Sequence, residues 1–432
     1  MTCVSGLVST IAIAVVLSGS TVPAAAQDPG RQAEITVLRA ARLLDVRGGR
    51  IVDGGVVIVQ GGKITAVGGA APAGARVVDL GDVTLAPGLI DLHTHLTMDI
   101  EGNWVMREVT EGAADAALRG ARNARATVEA GFTTVRNLGS QDFSDIALAK
   151  AITAGFVPGP RIVSAGHSIG ATGGHCDTTG FAPGVAERDW RTGVADGPDE
   201  VVKAVRYQIK HGAQVIKICA TAGVLSFDAT VGAQQLSEAE MTAVVQEAAL
   251  HGLRVAAHAH GTVGIKAAVR AGVTSIEHGS ILDDEAIAMM KERGTYLVPT
   301  SYLADALNRD ALPPLIRAKA DAVLPIMRES LRKAIAAGVK VALGTDAAVY
   351  PHGQNGRELG VYVALGMAPI EAVRSATTVA AEALGVSDRG AIETGMLADI
   401  IAVPGNPLQD IKAFEQVRFV MVGGKVVVQR RE

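Results

Sequence analysis

HGLRVAAH (251–258) and AGVTSIEH (271–278) carry one phrase: a glycine after a helix-like stretch, then an apolar run that stops at a histidine. The phrase returns as AGFTTVRN (130–137), HGAQVIKI (211–218) and AGVKVALG (337–344). Glycine just past a helix takes the left-handed conformation that satisfies the last carbonyls, so each copy predicts a helix, a tight turn and a strand. The strands lack in–out alternation, the pattern of parallel strands buried on both faces.

Pro87 to His95, Arg161 to Ala165 and Thr295 to Pro299 add three more such runs, making eight strands, each followed by a helical segment. That number of βα units predicts an α/β fold closed as a (β/α)8 TIM barrel over residues 86–392. Helix-to-strand connections are one or two residues long, whereas long Gly/Asp-rich loops follow the third strand (168–198), the fourth (221–236) and the eighth (347–358). Loops of that length are usually functional and mark the carboxyl-end face of a barrel. An open doubly wound sheet would carry a Gly-rich phosphate turn after its first strand, where this chain has His93 and His95.

Outside the barrel the pattern changes. Ile35 to Leu38, Val56 to Gln60, Ile64 to Val67 and Ala75 to Asp79 are short Val/Ile-rich runs broken by glycine, and Asp399 to Val403 and Phe419 to Val428 share that character. They predict a small β-sandwich domain assembled from both chain ends, residues 27–85 with 393–432. The first 26 residues read as a signal peptide: Leu7 to Val22 is apolar or small and Ala24-Ala25-Ala26 precedes Gln27, although no Lys or Arg stands before the apolar stretch. The run falls short of the about 20 residues a membrane span needs. The processed chain is therefore expected to be exported, periplasmic or secreted, with no membrane span.

Of the 432 residues, 48% are hydrophobic and 3% aromatic, so the core is built from small and β-branched side chains. The formal charge is only -4 and no basic stripe occurs, which argues against a nucleic-acid partner. Cys3 leaves with the signal, and two further cysteines make no disulfide framework for a chain of this size. Cys176 and Cys219 are read as free thiols rather than ligands.

Ligand-type residues stand at five strand ends: His93-Thr94-His95, Lys217, His258-Ala259-His260, His278 and Asp346. Alternate residues of a strand face the same way, so His93 and His95 can share one centre, and imidazole with carboxylate suits zinc and similar ions. Taken singly, each has an ordinary reading. An HxH pair is weak evidence, Lys217 could pair with a carboxylate, His278 could form a hydrogen-bonded unit with Glu277, and Asp346 could cap the next helix. Their convergence on one face is what those separate readings leave unexplained. A lysine inside an apolar strand is also costly unless neutralised or paired.

Seven segments together resemble the amidohydrolase superfamily over nearly the whole processed chain: APGLIDLHTHL (86–96), TTVR (133–136), VIKI (215–218), VAAHAHG (255–261), SIEHG (275–279), GTDA (344–347) and GMLADIIAV (395–403). TGGH (172–175) and the fourth-strand lysine resemble the branch of bacterial Xaa-Pro and Xaa-Arg/Lys dipeptidases and ochratoxin-degrading amidases. The resemblance implies two divalent metal ions, zinc by expectation. His93 and His95 with Asp346 would hold the more buried ion, His258 and His278 the second, and Lys217, carboxylated by CO2, would bridge both. It further implies a metal-bridging hydroxide attacking an amide or peptide bond next to a C-terminal amino acid, in a dipeptide, an N-acyl amino acid or an ochratoxin-like amide. Asp346 would be the catalytic proton carrier.

His175 and His260 would bind the substrate at its carboxylate or carbonyl, where a histidine can donate hydrogen bonds to an anion; relatives often carry tyrosine where His260 stands, and the alternative role for His260 is to orient His258. His167 and Asn137 are read as local structure. The expected partner is a small-molecule or dipeptide substrate with a free carboxylate, and relatives are often homo-oligomers. Two other readings compete. A one-metal deaminase or cyclic imidate/lactone hydrolase would typically lack the lysine and carry His-Ala-Glu on the fifth strand. A non-enzymatic binding barrel would have lost a ligand, whereas here each position is filled.

Overall fold

The computed structural model describes residues 34–430 apart from Ala229, and the expected signal segment 1–26 lies outside the described residues. The described chain opens with five strands: β1 (Thr36–Asp45), β2 (Arg50–Gln60), β3 (Lys63–Val67), β4 (Arg76–Asp79) and β5 (Val83–Pro87). β1 and β2 pair antiparallel from Thr36 opposite Val59 to Asp45 opposite Arg50. β4 and β5 share the other edge of β1, both parallel to it. At Gly88 the chain changes sheets. The Gly88 amide still donates to Asp399 O (2.9 Å), but the next amide, Leu89, donates to Gly131 O (2.9 Å).

From there strands and helices alternate. β6 (Leu89–Thr94) is followed by α1 (Arg107–Thr110) and α2 (Ala113–Glu129), then β7 (Phe132–Asn137), α3 (Ser144–Thr153), β8 (Arg161–Ser164) and α4 (Pro198–His211). β9 (Ile216–Cys219), α5 (Glu238–Leu250), β10 (Val255–Ala259), α6 (Thr262–Ala271), β11 (Ser275–His278) and α7 (Asp284–Arg293) continue the pattern. β12 (Tyr296–Val298), α8 (Leu303–Ala306), α9 (Pro314–Ala337), α10 (Arg357–Ala364), α11 (Pro369–Ser375) and α12 (Thr378–Leu384) complete it. The glycines of the repeated phrase do what the sequence demands: Gly131, Gly212, Gly252, Gly272 and Gly338 have φ of +94°, +110°, +68°, +91° and +76°. β6, β7 and β9 to β12 are buried at every position, which accounts for their missing alternation.

These parallel strands form two sheets, β6-β7-β8 and β12-β11-β10-β9, and not one closed sheet. Among the described residues only single bridges join their ends: Ile169 to Ile218, Leu297 to Val341 and Thr94 to Ala347. The eighth expected strand, within 337–344, forms no ladder. After Leu343 O accepts from Leu92 N (2.8 Å), the amides of both Thr345 and Asp346 donate to the one carbonyl of His93 (3.2 and 2.7 Å). The chain turns over His93 where a strand would run on. Gly344 permits this, since a Cβ there would lie 2.2 Å from Val298 Cγ1 and 2.8 Å from His93 Cβ.

β13 (Ile400–Pro404), β14 (Phe419–Val422) and β15 (Lys425–Gln429) return to the first sheet, β13 antiparallel to β5. The result is one eight-stranded sheet, β15-β14-β13-β5-β1-β2-β3, with β4 beside β1. Both chain ends thus build it, but its pairing runs as one path and does not by itself define the two layers of a sandwich. Among the described residues no helix is long and apolar enough to cross a membrane.

One expectation fails outright. Cys176 and Cys219 are not free thiols: they form a disulfide, with Cα atoms 5.8 Å apart. The loop after β8 folds back along β9, where Ile169 N donates to Lys217 O (2.8 Å) and Cys219 N to Ile169 O (2.8 Å), and this lays Cys176 over the end of β9. A single bridge needs only such proximity, which 43 residues of separation conceal in the sequence.

Candidate active site

The strand-end residues converge. His93 Nε2 and His95 Nε2 each lie 3.4 Å from Asp346 Oδ1. Ligand atoms of His93, His278 and Asp346 fall within 4.8 Å of one another, and so do those of His258, His260 and His278. His278 therefore stands between two groups, and His260 joins the second group where only substrate contact was expected. His258 and His278 rings meet edge to face at 4.7 Å, His260 stacks on His278 at 4.8 Å, and His175 stacks on His258 at 4.1 Å. Lys217 is buried, and among the described residues its amine has no hydrogen bond or ion pair.

Backbone strain collects at the same place. His278, Thr300 and Asp346 have φ of +69°, +50° and +58°, a region that costs a non-glycine residue about 1–3 kcal/mol and is held only by its surroundings. His278 ends β11, Thr300 stands just past β12, and Asp346 lies in the turn over His93. His278 Nδ1 and Thr300 Oγ1 are 2.8 Å apart, so two of the strained residues hold each other.

Behind the histidines lies a layer that the sequence reading missed. The fully buried Glu277 accepts His93 Nδ1–H with Oε2 (2.8 Å) and Arg136 Nη2–H with Oε1 (2.7 Å). Glu277 therefore serves His93, not its neighbour His278: adjacent residues of a strand point to opposite faces. Because Nδ1 of His93 carries the proton, its Nε2 lone pair is free beside Asp346, the orientation a metal ligand requires. Asp91 ties the same elements from below: Oδ1 accepts the amides of His93 (3.0 Å) and Thr345 (3.2 Å), and Oδ2 accepts Thr345 Oγ1–H (2.6 Å) and Asn355 Nδ2–H (2.8 Å). The available signal was the placement of charged residues inside apolar strands, in IDLH, TTVR and SIEH. Asn137 is local structure, with Oδ1 accepting Leu96 N (2.6 Å) and Nδ2 donating to Gly139 O (3.1 Å).

Burial sets the protonation states. It brings Lys217 down to about 8, and with Lys217 it lowers His93 to about 4. Burial and neighbouring imidazoles take His260 to about 3 and hold His258 and His278 well below the ordinary histidine value. Burial pushes Asp346 up, but His93, His95 and Lys217 outweigh it and hold the carboxyl below its usual range. Glu277 is brought down to about 2, its burial outweighed by Arg136, His93 and Lys217. At neutral pH His93, His258, His260 and His278 are thus neutral imidazoles, and Asp346 is a carboxylate. His258 Nε2 is buried with no hydrogen-bond partner among the described residues. Imidazole and carboxylate donors grouped around that orphaned nitrogen fit a divalent metal.

The site forms the floor of a cavity of about 320 Å³. One wall is apolar, from Leu303, Leu307, Val323, Leu324 and Met327 of the α8–α9 region. His175, from the loop after β8, also lines the cavity, and its Nδ1 is 2.9 Å from Ser226 Oγ. His260 Nδ1 is 2.7 Å from Ser280 Oγ. His167 also reaches the cavity, stacked edge-on against Phe143 at 5.1 Å.

Comparison with known proteins agrees with this geometry. Residues 84–427 match the model of the amidohydrolase family. The chain is 38% identical over 368 residues to an ochratoxinase of Aspergillus niger, covering 79% of this chain and 75% of that protein. It is similar to the crystal structure of a Xaa-Pro dipeptidase with bound methionine in the active site, at 38% identity and TM-score 0.87, over 91% of this chain and 99% of the other. The crystal structure of A. niger ochratoxinase superposes with TM-score 0.81 at 32% identity, over 92% and 96% of the two chains. The match over most of the chain, on a site built from the strand ends described above, makes this protein a hydrolase of the amidohydrolase family.

Proposed function

We propose that this protein is a binuclear metal-dependent amidase that cleaves the bond next to a C-terminal amino acid, in a dipeptide, an N-acyl amino acid or an ochratoxin-like amide. One observation carries the reading: among the described residues Lys217 is buried without an ion pair, yet its charge acts on His93, His258, His278 and Asp346 alike. A lysine there is stable only if its charge is removed or reversed, and an amine brought down to about 8 is partly free base, the form that CO2 carboxylates. Lys217 as a carbamate would bridge the two groups, with His93, His95 and Asp346 on one side and His258 and His278 on the other. When bound, two divalent ions, zinc by expectation, polarise a carbonyl and acidify water. The chain's own residues do the rest. Glu277 and Asp91 fix His93, and Asp346, held as a carboxylate, takes a proton and returns it to the leaving amine.

The apolar wall suits the hydrophobic part of such a substrate, and the bound methionine of the Xaa-Pro dipeptidase supports an amino-acid product in the cavity. The two parallel sheets are read as two arcs of one (β/α)8 barrel over 86–392, supported by the bridges at their ends. A separate core cluster around Leu38, Val57, Leu85, Ile400 and Phe419 supports a distinct β-domain from 27–85 and 393–432. The disulfide supports export to the periplasm or medium after removal of residues 1–26. Homo-oligomerisation belongs to the same reading by kinship. Against the one-metal alternative, Lys217 is present and residue 260 is histidine.

Metal analysis tests the proposal. Purified protein should carry close to two divalent ions per chain, and Lys217→Ala should lose metal and activity together. A fully active, metal-free Lys217→Ala enzyme would end the binuclear reading.

A further inference from the structure

Glu358, in the first turn of α10, is a fully buried carboxyl outside the metal site. Among the described residues it has no cation to pair with. Its Oε1 accepts the amide of Ser301 (2.6 Å) and its Oε2 the amide of Tyr302 (2.7 Å). Burying a carboxyl costs stability unless its oxygens are satisfied, and here both serve consecutive amides of one short segment. Arg357, the residue before it, grips that segment too: its Nη1–H donates to Tyr302 Oη (2.6 Å). The Tyr302 ring in turn meets Tyr350 edge to face at 5.2 Å.

The segment so held begins at a residue that would not keep its conformation alone. Thr300 follows β12 with φ of +50°, in the left-handed region that a β-branched side chain strongly disfavours. Thr300 and Ser301 are fully buried, so the backbone here must find its partners inside the protein. Two features of the cavity depend on this stretch. Thr300 Oγ1 is 2.8 Å from His278 Nδ1 and limits the tilt of that ring. Past Tyr302 the chain enters α8, whose Leu303 lines the apolar wall, with Leu307 just beyond it.

We infer that Glu358 is a positioning residue: it clamps the Ser301 and Tyr302 amides, keeps Thr300 in the left-handed conformation, and so places Thr300 against His278 and Leu303 against the cavity. The clamp needs two acceptor oxygens on one side chain. A carboxyl keeps both whether or not it carries a proton, whereas glutamine has one oxygen and turns an NH2 against the second amide. The effect on bound metal rests on the binuclear reading, whereas the clamp does not.

Hydrogen exchange of the metal-free full chain tests the clamp. The Ser301 and Tyr302 amides should exchange about a hundredfold faster in Glu358→Gln than in wild type, while amides of β9 and β10 keep their rates. Glycine takes φ of +50° without strain, so Glu358→Gln should lower the urea midpoint less in a Thr300→Gly background than in wild type. Should Glu358→Gln alone not fold, the double variant with Thr300→Gly should, and its failure would overturn the inference. Cadmium serves as the metal probe. In ¹¹³Cd spectra of the loaded chain, Glu358→Gln and Thr300→Val should each weaken by about tenfold the ion that His258→Gln removes, and leave the other bound. Unchanged exchange at Ser301 and Tyr302, an equal midpoint loss in both backgrounds, or cadmium held as in wild type would likewise overturn it. A single cadmium signal from wild type would count against the binuclear reading, and the exchange rates would then decide the clamp alone.

Discussion

Glu277 holds Arg136 with one oxygen and His93 with the other, so a single atom change there has two consequences. Glu277→Gln leaves Arg136 as an unpaired buried cation, a change worth about 3–5 kcal/mol. It also removes the acceptor that keeps His93 Nδ1 protonated, which should lower metal affinity by about 10–100-fold. Urea denaturation and metal titration check the pair, and a variant equal to wild type in both would show that Glu277 does not organise the site. Asp346→Asn should keep most of the metal while turnover falls by about 10²–10⁴, as for loss of a proton-transfer group. Near-normal turnover would remove Asp346 from that role. The histidines were legible in the sequence because each sits at the end of an apolar run. Glu277 and Arg136 were not, since a lone charge inside a strand does not say which distant strand it faces.

At the scale of elements, glycine placement carried most of the legible information. A glycine past each helix marked where the next strand begins, and those residues do take positive φ. What stayed hidden were features made by two segments meeting. The turn at Gly344 that spoils the eighth strand depends on His93 and Val298. The disulfide depends on a loop folding back along β9. Closing a loop of 43 residues, that bridge should contribute about 4 kcal/mol by restricting the unfolded chain. Cys176→Ser should therefore lower the denaturation midpoint by the corresponding amount. Reducing agent should lower wild type and leave the variant unaffected, and a wild-type midpoint insensitive to reductant would refute the bridge.

For the whole molecule, buried imidazoles set the response to acid. Burial, the largest cause in each case, brings His93, His167, His175 and His352 down to about 4 and His260 to about 3, and keeps His258 and His278 well below 6.5. Below pH 6.5 the unfolded chain takes up protons on these groups and the folded chain does not, so stability falls as pH drops toward 4. Glu358, raised by burial to about 8, Asp91, raised to about 6, and Asp145, also raised by burial, act oppositely and favour the folded state as pH falls. Seven imidazoles outweigh three carboxyls. The urea midpoint of metal-free protein should therefore drop between pH 6.5 and 4, and a midpoint that held or rose would contradict this assignment of buried neutral histidines.

The amidase claim itself meets its most direct test in a mass-spectrometric hydrolysis screen of the metal-loaded protein. The panel would hold dipeptides with varied C-terminal residues, N-acyl amino acids, ochratoxin A, lactones and cyclic imides. The site described above predicts cleavage confined to compounds with a free carboxylate beside the scissile amide. Turnover of lactones or cyclic imides alone would contradict it.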